Sequence, residues 1–510
     1  MDTDSLVSRL SLTISPPSLD DTASDWARVE QALSSHLDGR PAEPSLPMLR
    51  ELGAVLRRGD WRIAAVLADL GHAWRVVRVV PQAETAPLVG LAIDLGTTTV
   101  AAELVDLETG VIVASQQAYN SQRQFGPDVT TRMMVAEQAG GLATLRQAAL
   151  DTLNNLITML CAEANIAAEE IVAAVLAGNT IMQHLLLGLN PATIRREPYV
   201  PASTSYPILD AALVGLKINN AAPLYLLPAA SGYVGGDVIA DLLATQLPDD
   251  ESLSILIDIG TNGETVLGNR AFLMACSGSA GSAFEGCGLE WGMPAQPGAI
   301  DRVWVKDGRI GYRTVADAPV QGICGSGLID ALAEFLEADV IDRSGKVNLA
   351  AAGTRRREGH PEVVIAPASE TAMGRDLTLR QGDIENLIRD KAALYAGSRI
   401  LLANVGLTFD EVARIFIAGN FGQSLDVEQG VRIGLLPDIP RQRIHFIGNS
   451  ALAGARRTLL ARSVWQRALE IAPAITCLEL TTEPRYFDEY TAALFLPHTN
   501  LALFPSANTN

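Results

Sequence analysis

Two short stretches of the chain carry the same unusual set of side chains. The first, IDLGTTT, places Asp94, Gly96, Thr97, Thr98 and Thr99 at the tip of an apolar run. The second, IDIGTNGE, places Asp258, Gly260, Thr261, Asn262, Gly263 and Glu264 in the same frame. An acid at the end of a buried strand is costly unless a cation or hydrogen-bond donors satisfy it. A glycine beside it lets a ligand approach the backbone. The amides and hydroxyls that follow are donors, which suits a phosphate. Two such acids could hold hydrated Mg²⁺ between phosphate oxygens, because Mg²⁺ keeps most of its waters. A single copy reads more readily as ordinary turn chemistry. Two copies in a repeated frame favour the ligand.

The elements around the two stretches repeat as well. After the first hairpin comes the amphipathic segment LATLRQAALDTLNNLITMLCAEANI, then IVAAVLAGNT, a strand ending at Gly178-Asn179. From about residue 252 to 460 the scheme recurs: hairpin, the long helix QGDIENLIRDKAALYAGSRILLANVG, and VARIFIAGNFGQ with Gly419, Asn420 and Gly422. A third strand end of this kind is IHFIGNSALAGARRTLL. The order predicts two related α/β lobes with largely buried, mixed or parallel sheets. Two lobes predict a cleft, a preferred place for a ligand.

The remaining motifs keep two readings each. AGNFGQSLD is a glycine-rich strand-to-helix turn that can seat an adenosine, or simply a turn. GICGSGLIDALAEFL places Gly325, Ser326 and Gly327 where a helix N-terminus can bind an anion; a tight packing turn fits equally well. GSAGSAFEGCGLEWGMPAQPGAI is a mobile loop over the cleft or at a partner surface, or a structural loop. Asp237, in SGYVGGDVIADLLA, is a helix N-cap or a third acid of the site, with the cap favoured. His184 lies on an apolar helix and reads as a packed, hydrogen-bonded side chain. No Ser/His/Asp triad, P-loop lysine motif or His-rich zinc site is present in the sequence.

Size and composition bound the function. A chain of 510 residues predicts two to four domains. Its 39 Lys+Arg against 58 Asp+Glu give a net charge of −19, which argues against a nucleic-acid partner. Residues 1–88 read as a small α/β domain without chemistry of its own. Their helical segments are DWARVEQALSSHL and LPMLRELGAVLRR; their strands are WRIAAVLAD and AWRVVRVV. The five cysteines, Cys161, Cys276, Cys287, Cys324 and Cys477, show no CxxC spacing. That fits a reducing compartment and argues against an iron–sulfur cluster on this chain alone. No signal peptide and no run of ~18 apolar residues is found, so a cytoplasmic protein that does not enter the membrane is expected.

In this order IDLGTTT, IDIGTNGE and IAGNFG resemble the phosphate-1, phosphate-2 and adenosine motifs of the ASKHA superfamily. LAGNT and FIGNSALAGA resemble its two connecting segments. More closely, NSQRQFGPDVTTRM, AGNTIMQHLLLGLNP, SGYVGGD, DIGTNGE, AGSAFEG, GICGSGLIDALAE, IAGNFG and IGLLP resemble the ATP-dependent reductive activators of corrinoid proteins. The resemblance implies a duplicated ribonuclease-H-like core, the fold of actin, Hsc70 and sugar kinases. Its first lobe would span 89–250, completed by about 461–500, and its second 251–460. Residues 1–88 would be the family's linking domain. ATP and Mg²⁺ are the implied cofactors. Asp94 and Asp258 would lie around the metal, and Thr97–Thr99 and Thr261–Gly263 on phosphates. Glu264 or Asp237 would orient the attacking water. The implied partner is the corrinoid protein of a cobalamin-dependent methyltransferase system. Family members commonly begin with a [2Fe–2S] domain bearing four cysteines, a pattern absent from this sequence. Either a separate iron–sulfur or flavin protein donates the electrons or the redox role is lost. A homodimer is compatible with the resemblance. Three other functions share the fold: a small-molecule kinase, a nucleotide-switched scaffold, and an activator of a radical dehydratase.

Overall fold

The strands at the two motifs are apolar on both faces, as strands inside a covered sheet are. Val89–Leu95 is buried except at Asp94, and Ile171–Gly178 is buried throughout. The computed structural model describes residues 4–84, 87–278, 282–286, 288–419 and 425–508. The chain forms two units: Met1–Ala244 with Ala451–Pro473, and Thr245–Ser450 with Ala474–Asn510.

The first unit begins with a four-stranded sheet in the order Val7–Thr13, Arg62–Asp69, Trp74–Pro81, Ala42–Pro44. Helices Asp25–Ser34 and Leu46–Arg58 bury Val29, Leu33, Leu52, Val55 and Leu56 in a core with Leu10, Leu12, Leu67 and Trp74. A carboxylate joins this sheet to the rest of the unit. Asp69, 2% exposed, accepts from Arg40 Nη1 at 2.6 Å and from Arg462 Nη1 at 3.0 Å. Both guanidinium groups lie over the Trp74 ring. The Tyr225 hydroxyl donates to the Asp69 carbonyl at 2.6 Å, and its ring meets Trp465 edge-on.

The main sheet of the first unit has the order Ile112–Tyr119, Thr99–Asp106, Val89–Leu95, Ile171–Gly178, Pro223–Leu226, Leu209–Asp210. The first three strands are antiparallel; Val89–Leu95, Ile171–Gly178 and Pro223–Leu226 run parallel. Helices Gly141–Ala164 and Thr180–Leu187 pack together beside it, contributing Leu145, Leu153, Leu156, Ile181 and Leu185 to the core. Helices Gly236–Ala244 and Ser450–Leu460 meet where Gly454 approaches the Ala240 backbone. Leu459 covers Gly90, and Arg456 donates to Glu103 at 2.6 Å.

The second unit repeats the topology. Its main sheet runs Ile444–Gly448, Arg414–Ala418, Ser254–Ile259, Gly263–Asn269, Phe272–Gly278, Ile475–Cys477. An antiparallel three-strand meander again leads, through a long helix, to two strands parallel with the first. Helix Gln381–Asn404 packs on this sheet, and helix Pro484–Ala493 packs on that helix. Two three-stranded sheets are inserted between the meander and the long helix. The fully buried Lys391 donates to the carbonyls of Phe495 and Pro497, both at 2.7 Å, and so holds the C-terminal segment. Among the described residues no helix is long and apolar enough to cross a membrane.

Candidate functional site: two acid–glycine–threonine turns

The first turn follows directly from the hairpin Val89–Leu95/Thr99–Asp106. Asp94 is half-buried at the end of the first strand, opposite Ala101 on one side and Ala177 on the other. Gly96 is required by the tightness of the turn: a Cβ there would lie 2.3 Å from the Thr99 carbonyl oxygen. Thr97 and Thr98 are buried and Thr99 is half-buried. The strand end Gly178-Asn179 stands beside this turn, with Gly178 paired to Leu95. Asn179 Nδ2 donates to Thr97 Oγ1 at 3.0 Å, while its Oδ1 accepts from the Met182 amide and caps the helix Thr180–Leu187.

A second asparagine grips the same turn, and sequence reasoning did not single it out. Asn120, with no exposed surface, donates from Nδ2 to the Gly96 carbonyl at 2.9 Å and from its amide to the Thr98 carbonyl at 2.8 Å. Behind it, Gln122 Oε1 accepts from Asn120 Nδ2 at 3.3 Å and from the buried Arg132 at 3.2 Å. Arg132 Nε donates to the Gly126 carbonyl at 3.0 Å. These residues belong to NSQRQFGPDVTTRM; the signal for them was a cluster of polar side chains directly after a strand.

Asp237 lies in the first turn of the helix Gly236–Ala244 rather than at its N-cap, because the helix starts two residues earlier than a cap at Asp237 would require. Its Oδ1 accepts from the Val238 amide at 2.9 Å. Desolvation pushes its pKa up to about 6 from 3.8, against the opposing pull of that amide. His184 is fully buried, with Nδ1 2.7 Å from the Thr180 carbonyl and Nε2 accepting from the Ala202 amide at 3.1 Å. It is the packed side chain its context predicts, and burial holds its pKa below the usual histidine value.

The second turn has the same frame with different partners. Asp258, half-buried, is directly opposite Glu264 across the hairpin, so both carboxylates share one face of the sheet. Glu264 is buried and its Oε1 accepts from Ser277 Oγ at 3.0 Å. Burial, then the nearby Glu264, raises the pKa of the Cys276 thiol. The Gly260 amide donates to the Asn262 carbonyl at 3.0 Å, which closes the turn. Gly263 is paired with Ile259 and begins the return strand. Thr261 Oγ1 donates to Glu285 Oε2 at 2.5 Å. Gly419 abuts this turn with φ +114°, and a Cβ there would lie 2.4 Å from the Ile259 carbonyl oxygen. Asn420, Gly422 and Cys287 lie outside the described residues.

Gly325, Ser326 and Gly327 are buried at the start of the helix Gly325–Glu337, whose N-cap is Cys324. The Cys324 thiol lies 3.3 Å from the Ile300 carbonyl, packing this loop onto the strand Ala299–Lys306. That is the packing role, one of the two readings of the motif. Among the described residues no group of three or more His, Cys, Asp or Glu could hold a metal by itself. The carboxylates at the turns are hard oxygen donors, which fits a Mg²⁺ that keeps its water shell.

Two sheets that share a topology, each with an acid–glycine–threonine turn beside a strand that ends in or runs straight into glycine, define a duplicated α/β chain of the ASKHA class. The chain belongs to the RACo family. Residues 1–86 match its linker region, 89–250 its middle region, and 252–508 the C-terminal domain of RACo, the ASKHA domain. The chain is 34% identical over 427 residues to the corrinoid activation enzyme RamQ of Eubacterium limosum, covering 82% of this chain and 72% of that protein. It is 23% identical over 447 residues to the [Co(II) methylated amine-specific corrinoid protein] reductase of Methanosarcina barkeri, covering 79% and 76%. A solved structure of a reductive activator for corrinoid, iron-sulfur protein is 40% identical, with a TM-score of 0.92, covering 99% of this chain and 81% of that one.

Proposed function

We propose that this chain is an ATP-driven reductive activator of a corrinoid protein: it uses MgATP to drive cob(II)alamin to cob(I)alamin. The nucleotide half of the reading rests on one observation, the phosphate-type turn built twice on two sheets of the same topology. The corrinoid half is supported by the likeness of the whole chain to activators that act on corrinoid proteins.

In this reading the amides and hydroxyls of Gly96–Thr99 and Gly260–Gly263 bind phosphate oxygens. Asn179 and Asn120 keep the first turn in shape. Gly178 and Gly419 let the chain pass close to the turns, and the segment Gly419–Gly422 binds adenosine. Gly325–Gly327 packs on the strand Ala299–Lys306 and remains the candidate helix N-terminus for an anion. Asp94 and Asp258 would hold Mg²⁺ through its waters; the ion, when bound, offsets charge on the phosphates. Either Glu264 or Asp237 is the carboxylate that orients the attacking water. A pKa of about 6 suits Asp237 to accept a proton near neutral pH.

Hydrolysis yields ADP and phosphate with one water consumed. The reduction takes one electron to cobalt from a separate iron–sulfur or flavin protein. ATP turnover alone cannot drive that step. The chain must bind the corrinoid protein with different affinities in its nucleotide states, and that difference sets how much of the reduction can be driven. A cytoplasmic location and a homodimer complete the reading.

The test is spectroscopic. The chain is mixed with a corrinoid protein held as cob(II)alamin in the presence of a mild reductant, and the visible spectrum is followed with and without MgATP. Cob(I)alamin should appear only with ATP. Hydrolysis of ATP with no spectral change against every corrinoid partner would defeat the proposal.

A further inference from the structure

The two turns differ in where the threonine proton goes. A threonine hydroxyl has a single proton to give. At the first turn Thr97 Oγ1 accepts from Asn179 Nδ2, so its proton remains available to an incoming acceptor. At the second turn Thr261 gives its proton to the Glu285 carboxylate at 2.5 Å. Glu285 is not a chance surface neighbour. The residue two before it, Ala283, donates its amide to Asp390 Oδ2 at 2.8 Å, on the helix Gln381–Asn404. Phe284, 1% exposed, is inserted in the core of the second unit. The Gly286 amide closes a turn onto the Ala283 carbonyl at 2.9 Å. The backbone therefore holds the carboxylate against Thr261.

A phosphate arriving at this turn meets a hydroxyl already committed to an anion, and meets that anion's charge. Hydrogen bonds to a carboxylate are roughly twice as strong as neutral ones. We propose that Glu285 is an affinity-setting residue of the second turn: it competes with the nucleotide phosphate for the Thr261 hydroxyl and thereby weakens nucleotide binding. This rests on the reading of the turn as a phosphate site. The purpose the competition serves is clear from the proposed cycle. A nucleotide that must be released in every turnover is poorly served by a turn that holds it too well.

The test is a double-mutant cycle read by calorimetric titration of MgATP into the wild-type chain, Glu285→Gln, Thr261→Val and the double variant. Glutamine keeps the size and the acceptor and removes the charge. Glu285→Gln should bind MgATP tighter, by roughly three- to tenfold, the range of one weakened polar interaction. Thr261→Val should bind more weakly. On the Thr261→Val background the gain from Glu285→Gln should disappear. Thermal denaturation of each variant checks that the fold is kept. Unchanged or weaker binding in Glu285→Gln would overturn the proposal. So would a gain that persists undiminished without the hydroxyl, because it would show only a general charge effect. If wild type binds no MgATP, the phosphate reading of the turn fails instead.

Discussion

Asp237→Asn should make the protein more stable at neutral pH and no more stable in acid. The folded-state pKa of Asp237 is raised to about 6 from 3.8, chiefly by desolvation. The folded protein therefore binds the extra proton across the window from about pH 4 to 6. Stability falls as pH rises through that window; the full penalty is present above it and absent below it. Two pKa units correspond to about 3 kcal/mol at roughly 1.4 kcal/mol per unit. Asparagine retains an acceptor for the Val238 amide, now at 2.9 Å, and cannot ionise. Asp237 keeps part of its surface in water, so the gain expected at pH 7.5 is about 1–2 kcal/mol, still a sizeable share of an ordinary folding stability of about 5–15 kcal/mol. Urea unfolding followed by tryptophan fluorescence is the assay. Trp26, Trp61, Trp74 and Trp465 lie in the first unit with Asp237, and only Trp291 and Trp304 in the second, so the signal is weighted to the right unit. The midpoint should rise by roughly 1 M urea at pH 7.5, given ordinary denaturant slopes, and coincide with wild type at pH 4. Equal midpoints at pH 7.5, or the same gain at both pH values, would refute the argument. The variant should also lose ATP turnover, the usual exchange between stability and activity at a functional acid.

Asp258→Ala should abolish MgATP-dependent activity while moving the nucleotide-free thermal transition little, since Asp258 is half-buried at a strand end; surviving hydrolysis would remove it from the site. Asn120→Ala takes away the donor to the Gly96 carbonyl and should cost about 1–3 kcal/mol of stability. It should raise the KM for ATP more than it lowers kcat, and an unchanged KM in a folded variant would show that the first turn holds its shape unaided.

Sequence reasoning reached the two hairpins, the long helices and the strand ends because each is local. Val89–Leu95 and Ser254–Ile259 are nearly continuous apolar runs broken by one acid, and glycines mark where the chain turns. His184 was legible for the same reason. What escaped was long-range pairing of polar groups. Asn120 reaches Gly96 across 24 positions, and Thr261 reaches Glu285 across 24 more of a different loop. Arg462 and Asp69 are 393 positions apart. No periodicity encodes such contacts, because any arginine or asparagine on a loop has many acceptors to choose from. Asp237 was misplaced as a cap by a shift of two residues, within the ordinary uncertainty of a helix boundary.

The first unit recruits Ala451–Pro473 from far along the chain, and this governs the order in which the protein can be made. Leu459 fills the space above Gly90, and Gly454 lets its helix lie on Ala240. A ribosome that has just released residue 244 has therefore delivered a sheet with part of one face bare. Roughly two hundred residues of the second unit must emerge before the cover arrives, about 10–40 s at ordinary rates of synthesis. During that interval the nascent first unit exposes apolar surface that a chaperone, or a neighbouring chain, can seize. Expression in the cell should accordingly be limited by assembly during translation, and should improve when translation is fast through Thr245–Ser450 or when chaperones are abundant.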